Sequence, residues 1–361
     1  MSAREANHLI LTVDYELFGN GSGCPAKCVI APTERILSIA SRYSTPVTLF
    51  VEALEFMAME GERATSADAD AVKAQIRSAV RSGHDVQLHL HPQWVNASFG
   101  TNHRWALDLE KWRIGDLKVN EVAQLLASGK AWLETVLRPV ESNYACYAFR
   151  AGGWCIQPSL LVLQALNELD FRVDSTVAPG LRDARRGAWF DFRAAPRKPC
   201  WRVAQDVCQE SRTGIWEIPI VVARVSAIDH GRALLRRKWS RASEFAAGCS
   251  GSYASANITW NSLVAKAFKF PSLGSLMLDI STVPATMLIA AVRNWLSRFA
   301  QTRQPIPIVA IGHTKNFTAQ SEAELETFLR WAVTEDYLVL SRYDTWLRKV
   351  DNFPTTAGAQ G

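Results

Sequence analysis

Apolar residues in this chain fall into short runs that end on polar side chains, and these runs alternate with stretches of helical period. His8 to Tyr15 (HLILTVDY), Val47 to Val51, Val86 to Leu90, Tyr147 to Arg150 and Phe171 to Asp174 have the branched, apolar character of strands. Between them, Pro32 to Arg42 places Ile36, Leu37, Ile39 and Ala40 at helical spacing. Ser66 to Ser82 reads as a helix stopped by Gly83, and Val119 to Leu137 as a long helix. Pro158 to Leu169 is a further helix, with proline near its start, where the missing N–H costs little. The alternation returns near the C-terminus. A strand, Ile306 to Ile311, precedes a helix, Ser321 to Val333, whose Ser321 and Glu324 fit a capping box. Leu338 to Leu340 is then a strand and Tyr343 to Val350 a last helix. Repeated strand–helix units predict an α/β fold with a parallel sheet and right-handed crossovers. The order alone fits an open sheet as well as a closed or incomplete barrel.

Residues 177–305 break the pattern. They hold one clear strand, Ile215 to Val222 (IWEIPIVV), a helical stretch from Pro284 to Phe299, and much irregular sequence. We read this region as an insertion covering the site, within a single domain spanning 1–350, followed by a small polar tail, 351–361, expected to be disordered. Within the insertion, Arg232 to Arg241 is strongly basic and has no acidic residue; it is either a solvated helix face or a surface for phosphate groups or a membrane.

Composition narrows the class. Of 361 residues, 48% are hydrophobic and 21% charged, as in an ordinary globular protein, and a net charge of +5 gives no case for nucleic acid. Seven cysteines without CxxC spacing suggest neither a disulfide framework nor a cysteine zinc site. Met1 to Asn7 is polar and leads directly into a strand, which predicts a cytoplasmic protein. The most membrane-like stretch, Leu276 to Leu296, is interrupted by Asp279, Pro284 and Arg293.

The polar ends of the apolar runs carry the chemistry. Asp14 and Glu16 are two apart on a strand, so both carboxylates point to one side. One suits a metal; the other can take a proton from water. His89 and His91 obey the same rule, and two imidazoles with one carboxylate suit zinc and leave a position open for water. His84, at the other end of that strand, is assigned a structural role. Arg150, before Gly152 and Gly153, suits a bidentate grip on the base carboxylate. His313, between Gly312 and Lys315, suits the acid that protonates a leaving amine. Trp94 and Trp154, among thirteen tryptophans, lie near these motifs and offer flat faces for a sugar ring.

Taken in order, these motifs resemble those of the polysaccharide deacetylases, the family 4 carbohydrate esterases that share the chitooligosaccharide-deacetylase homology domain. The resemblance rests on Thr12-Val13-Asp14-Tyr15-Glu16, on Gly83-His84-Asp85-Val86 leading to His89, on Phe149-Arg150-Ala151-Gly152-Gly153-Trp154, on Asp174-Ser175-Thr176, on Trp216-Glu217-Ile218-Pro219 and on Gly312-His313-Thr314-Lys315. It implies a distorted or incomplete (β/α) barrel of about seven parallel strands and removal of acetyl groups from sugars with a divalent metal, zinc by preference. It implies Asp14, Arg150 and His313 as catalytic residues, Glu16, His89 and His91 as metal ligands, and Trp94, Trp154 and Lys315 as substrate contacts. Three departures stand out. Tyr15 separates two acids that are usually adjacent, which leaves the roles of Asp14 and Glu16 exchangeable. Gln93 occupies the usual place of the second metal histidine, so His91 must replace it. The third motif lacks its proline.

The expected function is therefore metal-dependent deacetylation of an acetylated sugar, one linked to a lipid or a nucleotide as a precursor of a surface polysaccharide. Two other readings compete: an amidase for a small non-sugar amide or ureide, and a non-catalytic carbohydrate-binding relative.

Overall fold

Strands buried on both faces frame the molecule. The structure, a computed structural model, describes residues 5–101, 103–184, 189–224, 275–302 and 304–351. β1 (Asn7–Tyr15), β2 (Val47–Glu52), β3 (Asp85–Leu90), β4 (Ala148–Ala151), β5 (Val173–Asp174), β6 (Ile215–Glu217) and β7 (Pro307–Ala310) run parallel in the spatial order β6-β5-β4-β3-β2-β1-β7. Just beyond β6 the chain reaches β7: Ile220 bridges Val309 in parallel, and Val221 N–H donates to Val309 O at 3.1 Å. The sheet thus curls until its ends meet at one bridge, the distorted barrel that the motifs imply. β8 (Leu338–Leu340) adds a short parallel strand against the start of β1.

Strand alternation separates two apolar cores. Outward residues such as Leu11, Val13, Leu49, Val51 and Leu88 pack under helices α1 (Ala31–Arg42), α2 (Ala53–Gly61), α3 (Ser66–Arg81) and α4 (Val119–Leu137). Further round lie α5 (Leu160–Glu168), α6 (Ala285–Arg298) and α7 (Ala319–Ala332). Inward residues form a smaller cluster: Ile10, Phe50, Ala148, Val173, Ile218, Ile220 and Val309, together with Tyr343, Trp346 and Leu347 of α8 (Tyr343–Val350). This last helix closes the end of the barrel where strands begin. Trp346 Nε1 donates to Pro305 O before β7, and Asp344 N to the Tyr147 hydroxyl before β4. His84 is at the same end, where its Nδ1 accepts from Val47 N.

The pattern reading differs from the structure at several points. It misses α2, because the apolar run of β2 passes directly into the helix, with Glu52 as N-cap accepting from Leu54 N. The run Ile215 to Val222 is not one strand: the ladder to β5 ends at Glu217, Ile220 past Pro219 bridges β7 instead, and a separate strand, Val222–Arg224, follows, since Pro219 has no N–H for a ladder. β6 is moreover a barrel strand, so 177–305 is not wholly an insertion. The cap of α7 is Thr318 rather than Ser321. Thr318 and Ser321 form the reciprocal box, while Glu324 reaches across to accept from Ala285 N at the start of α6. The basic segment Arg232 to Arg241 and residues 352–361 lie outside the described residues. Among those described, no helix is long and apolar enough to cross a membrane.

Two carboxyls face each other across β5 and β6. Asp174 and Glu217 are register partners and fully buried. The Thr176 hydroxyl donates to Asp174 Oδ1 and Val177 N to Glu217 Oε1, which leaves Asp174 Oδ2 and Glu217 Oε2 without another donor. A proton held on Glu217 satisfies both. Burial raises Glu217 well above the usual carboxyl range, and the neighbouring Asp174 charge raises it further. Burial also pushes Asp174 up, to about 6, against the hydrogen bond from Glu217. The folded pair therefore holds more protons than the unfolded chain from about pH 4 upward, and stability falls as pH rises through the raised range of both groups. Glu217→Gln, which places a permanent donor against Asp174, should flatten that fall in urea titrations at a series of pH values. Glu217→Ala should instead lower stability at pH 7 by about 1–3 kcal/mol, because Asp174 Oδ2 loses its only donor.

Candidate metal and catalytic site

The polar residues of the four motifs meet at the carboxyl ends of β1, β3, β4 and β7, where an α/β barrel places its chemistry. Thr12, Asp14 and Glu16 lie on one face of β1 and just past it. Tyr15, between them, faces outward and donates its hydroxyl to Gln75 Oε1. Arg150 has no exposed surface. Its Nη1 donates to Asp14 Oδ1 at 2.6 Å, Nη2 to Thr12 Oγ1 at 3.0 Å and Nε to Ser175 O at 2.8 Å, and the guanidinium lies 4.2 Å above the centre of the Phe50 ring. The grip on Asp14 is single rather than bidentate, because the second amino group is held by Thr12.

The same residue orders His89. The two pair across β3 and β4, and His89 Nδ1 lies 2.9 Å from Arg150 O. A carbonyl only accepts, so Nδ1 carries the proton and Nε2 keeps its lone pair. That Nε2 is buried, has no hydrogen-bond partner, and stands 3.5 Å from Glu16 Oε2. His91 follows at 4.8 Å, ring to ring and nearly perpendicular, with Nδ1 3.3 Å from the same Glu16 oxygen. Glu16, His89 and His91 therefore form a compact, buried donor group. Asp14, Glu16 and His313 form a second group that shares Glu16.

His313 bridges to Asp14 across β1 and β7, and its Nε2 lies 3.5 Å from Asp14 Oδ2. Its Nδ1 is buried without a partner. Trp154 stands edge-on to it at 6.0 Å. Trp154 has φ 59° and Gly153 φ 57°, so two successive residues take the left-handed conformation, which is strained for a tryptophan. The other two predicted substrate contacts are engaged within the protein. Lys315 donates to Glu16 Oε1 at 2.7 Å and to Leu17 O at 3.0 Å, which ties its ammonium to the donor group. Trp94 is buried against Trp105, ring centres 5.4 Å apart, and offers no free face.

Charge follows from these contacts. Burial alone would raise Asp14, but the Arg150 guanidinium, with His89 and His313, outweighs it and holds the carboxyl below its ordinary range. For Glu16 burial is likewise overcome, by Lys315 and then His91, and the carboxyl falls well below its usual range. Burial lowers His313 despite the opposing pull of Asp14, so it rests neutral. One member escapes sequence reasoning altogether. Glu52, at the end of β2 and fully buried, lies with Oε2 2.7 Å from His91 Nδ1. No motif marks it; its only signal is an acid closing an apolar run.

No family model matches the sequence, and no curated protein matches it. Solved structures do. A Mycobacterium smegmatis protein assigned to the polysaccharide deacetylases superposes with a TM-score of 0.50 at 15% identity, over 98% of this chain and 94% of that one. A Pseudomonas aeruginosa PAO1 protein assigned likewise gives 0.48 at 12% identity, over 96% and 91%. The chain has the polysaccharide deacetylase fold. The fold does not choose the reaction by itself: the 4-alpha-glucanotransferase of Thermococcus litoralis gives 0.51 at 10% identity, over 96% of this chain and 40% of that one.

Within this deacetylase fold the donor set fits a divalent cation. A lone pair on His89 Nε2 with no partner in the protein faces an ionised carboxylate oxygen, and a second imidazole flanks it. Gln93, in the usual place of a second histidine, is turned away: its Nε2 donates to Gly19 O. His91 takes up the space over Gly152, where an added Cβ would stand 2.4 Å from the imidazole carbons. Gly152→Ala should therefore push His91 out of the group while leaving the barrel folded. Elemental analysis after zinc loading should find about one metal per wild-type chain and under a tenth of that in the variant.

Proposed function

We propose that this protein is a metal-dependent hydrolase that removes an acetyl group, N-acetyl by preference, from a sugar. The observation that carries this reading is the sharing of Glu16. One oxygen of Glu16 faces the two histidines, and two residues away Asp14 offers its own free oxygen to His313. A cation-binding group and a proton-transfer pair therefore adjoin on one strand end. Glu16, His89 and His91 would hold a divalent metal, zinc by preference, which when bound would polarise a carbonyl and acidify water.

The chain's own residues do the rest. Arg150 keeps Asp14 ionised and turned towards the site, so that Oδ2 can take a proton from the attacking water. His313 rests neutral beside it. Its Nε2 receives the proton from Asp14, and its Nδ1, which has no acceptor within the protein, gives one to the leaving nitrogen. Of the two exchangeable roles we assign the base to Asp14 and the ligand to Glu16, a reading supported by Glu16 facing both His89 and His91. Trp154, fixed beside His313, is the wall against which the sugar ring packs. The substrate we favour is an acetylated sugar carried on a lipid or a nucleotide.

Acetate release from a panel of N- and O-acetylated sugars, read with zinc or cobalt present, tests the reading. Asp14→Asn and His313→Ala should each lower kcat by about 10²–10⁴-fold with little change in bound metal, and chelation should abolish turnover. A fully metallated protein that frees no acetate from any of these sugars would refute the deacetylase assignment.

A further inference from the structure

A cavity of about 450 Å³ opens among the loop that leaves β1, the turn between α2 and α3, and a short hairpin of Ser98–Phe99 with Trp105–Ala106. That volume suits a small ligand. Its lining begins one residue past the metal group, since Leu17 follows Glu16. The hairpin in turn follows His91, and its root is fastened to the β1 loop by the Gln93 amide, which donates to Gly19 O at 3.2 Å. None of the metal or proton-transfer residues lines the cavity.

Part of the lining is aromatic. Phe99 and Trp105 pair across the hairpin with ring centres 5.1 Å apart, and both are half-buried. Trp105 is fixed by the buried Trp94 ring, 5.4 Å away, and by Gly21, where an added Cβ would stand 2.9 Å from Trp105 Cβ. Another part is polar. Ser22 and Thr65 bring hydroxyls, Arg104 a guanidinium and Asp68 a carboxylate. Asp68 sits half-buried in the first turn of α3, where burial raises its carboxyl and no cation among the described residues offsets the rise. Aromatic faces beside hydroxyls, a guanidinium and an uncompensated carboxylate are the chemistry that holds a sugar: its C–H groups pack on the rings and its hydroxyls bond to the polar groups. A phosphate or other anion would meet the Asp68 charge. We propose that this cavity is a subsite for an uncharged sugar ring linked to the one that the metal group deacetylates. Its place in the substrate rests on the deacetylase reading; its affinity for sugar does not. The substrate is thereby narrowed to a saccharide of at least two units, whatever carrier it is joined to.

The probes are N-acetylglucosamine and its linear tetrasaccharide, with uridine diphosphate as the anionic alternative, all used on the full chain. Calorimetric titration of the metal-free protein should show the tetrasaccharide binding and uridine diphosphate not binding. Asp68→Asn keeps the shape of the side chain and removes its charge; it should weaken the tetrasaccharide by about 10-fold or more. Trp105→Ala should weaken it as well. Bound sugar should also slow alkylation of Cys24, which lines the cavity, so mass spectrometry of the labelled peptide locates the binding. In the zinc-loaded protein, Asp68→Asn should lower kcat/KM for the tetrasaccharide by the same factor and leave that for the single sugar unchanged. Equal binding of the tetrasaccharide by wild type and both variants, no sugar binding even at millimolar concentrations, or binding of uridine diphosphate in its place would overturn the proposal. Sugar binding that protects Cys24 and depends on Asp68, without release of acetate, would instead refute the deacetylase reading and leave the sugar site standing.

Discussion

A guanidinium sealed inside the barrel holds the site together. Arg150 touches three strands at once: Thr12 and Asp14 of β1 through its amino groups, Ser175 just past β5 through Nε, and Phe50 of β2 through the face of its ring. Its own carbonyl meanwhile takes the Nδ1 proton of His89. The Asp14 carboxylate and the His89 imidazole are thus both oriented by one residue. Burying such a cation is costly unless its donors are satisfied, and here each of its nitrogens has a partner. The inner core below supports it, since Phe50 packs edge-on to Tyr343, whose hydroxyl meets Ser175 Oγ at 2.7 Å.

The two carboxylates of β1 follow one plan. Each has one oxygen held by a cation, Asp14 by Arg150 and Glu16 by Lys315, and each keeps the other oxygen free. The cations keep both groups ionised despite burial. The free oxygens then point at different imidazoles, Glu16 at His89 and His91, Asp14 at His313. Two residues of spacing on a strand thereby aim two carboxylates at two separate imidazole groups. Lys315 belongs to this plan through its ion pair with Glu16.

Much of this was legible beforehand, wherever local periodicity carries the information. Alternation put Asp14 with Glu16 on one side of a strand and pointed to the acid–histidine pairing, and apolar runs located six of the seven barrel strands to within two residues, while the run at β6 overran its strand. Failures occurred where a distant contact overruled a local signal. Ser321 and Glu324 have the spacing of a capping box, yet Glu324 is drawn to α6 and Thr318 caps in its place. Trp94 lies beside a motif in sequence, but its ring packs on Trp105. Glu52 looks like an unremarkable end to an apolar run until β2 is laid against β3.

The sequence by itself determined the repeating strand–helix order, the face on which each polar strand residue lies, and the inventory of acids, imidazoles and cations at the strand ends. Those properties depend on neighbours one to four residues away. Only the tertiary structure decided which carboxylate meets which cation, which proton His89 carries, and that Glu52 stands behind His91. Those depend on strand register and on closure of the sheet through Ile220 and Val309. Periodicity tells a side chain which way to face; the packed barrel alone determines what it faces.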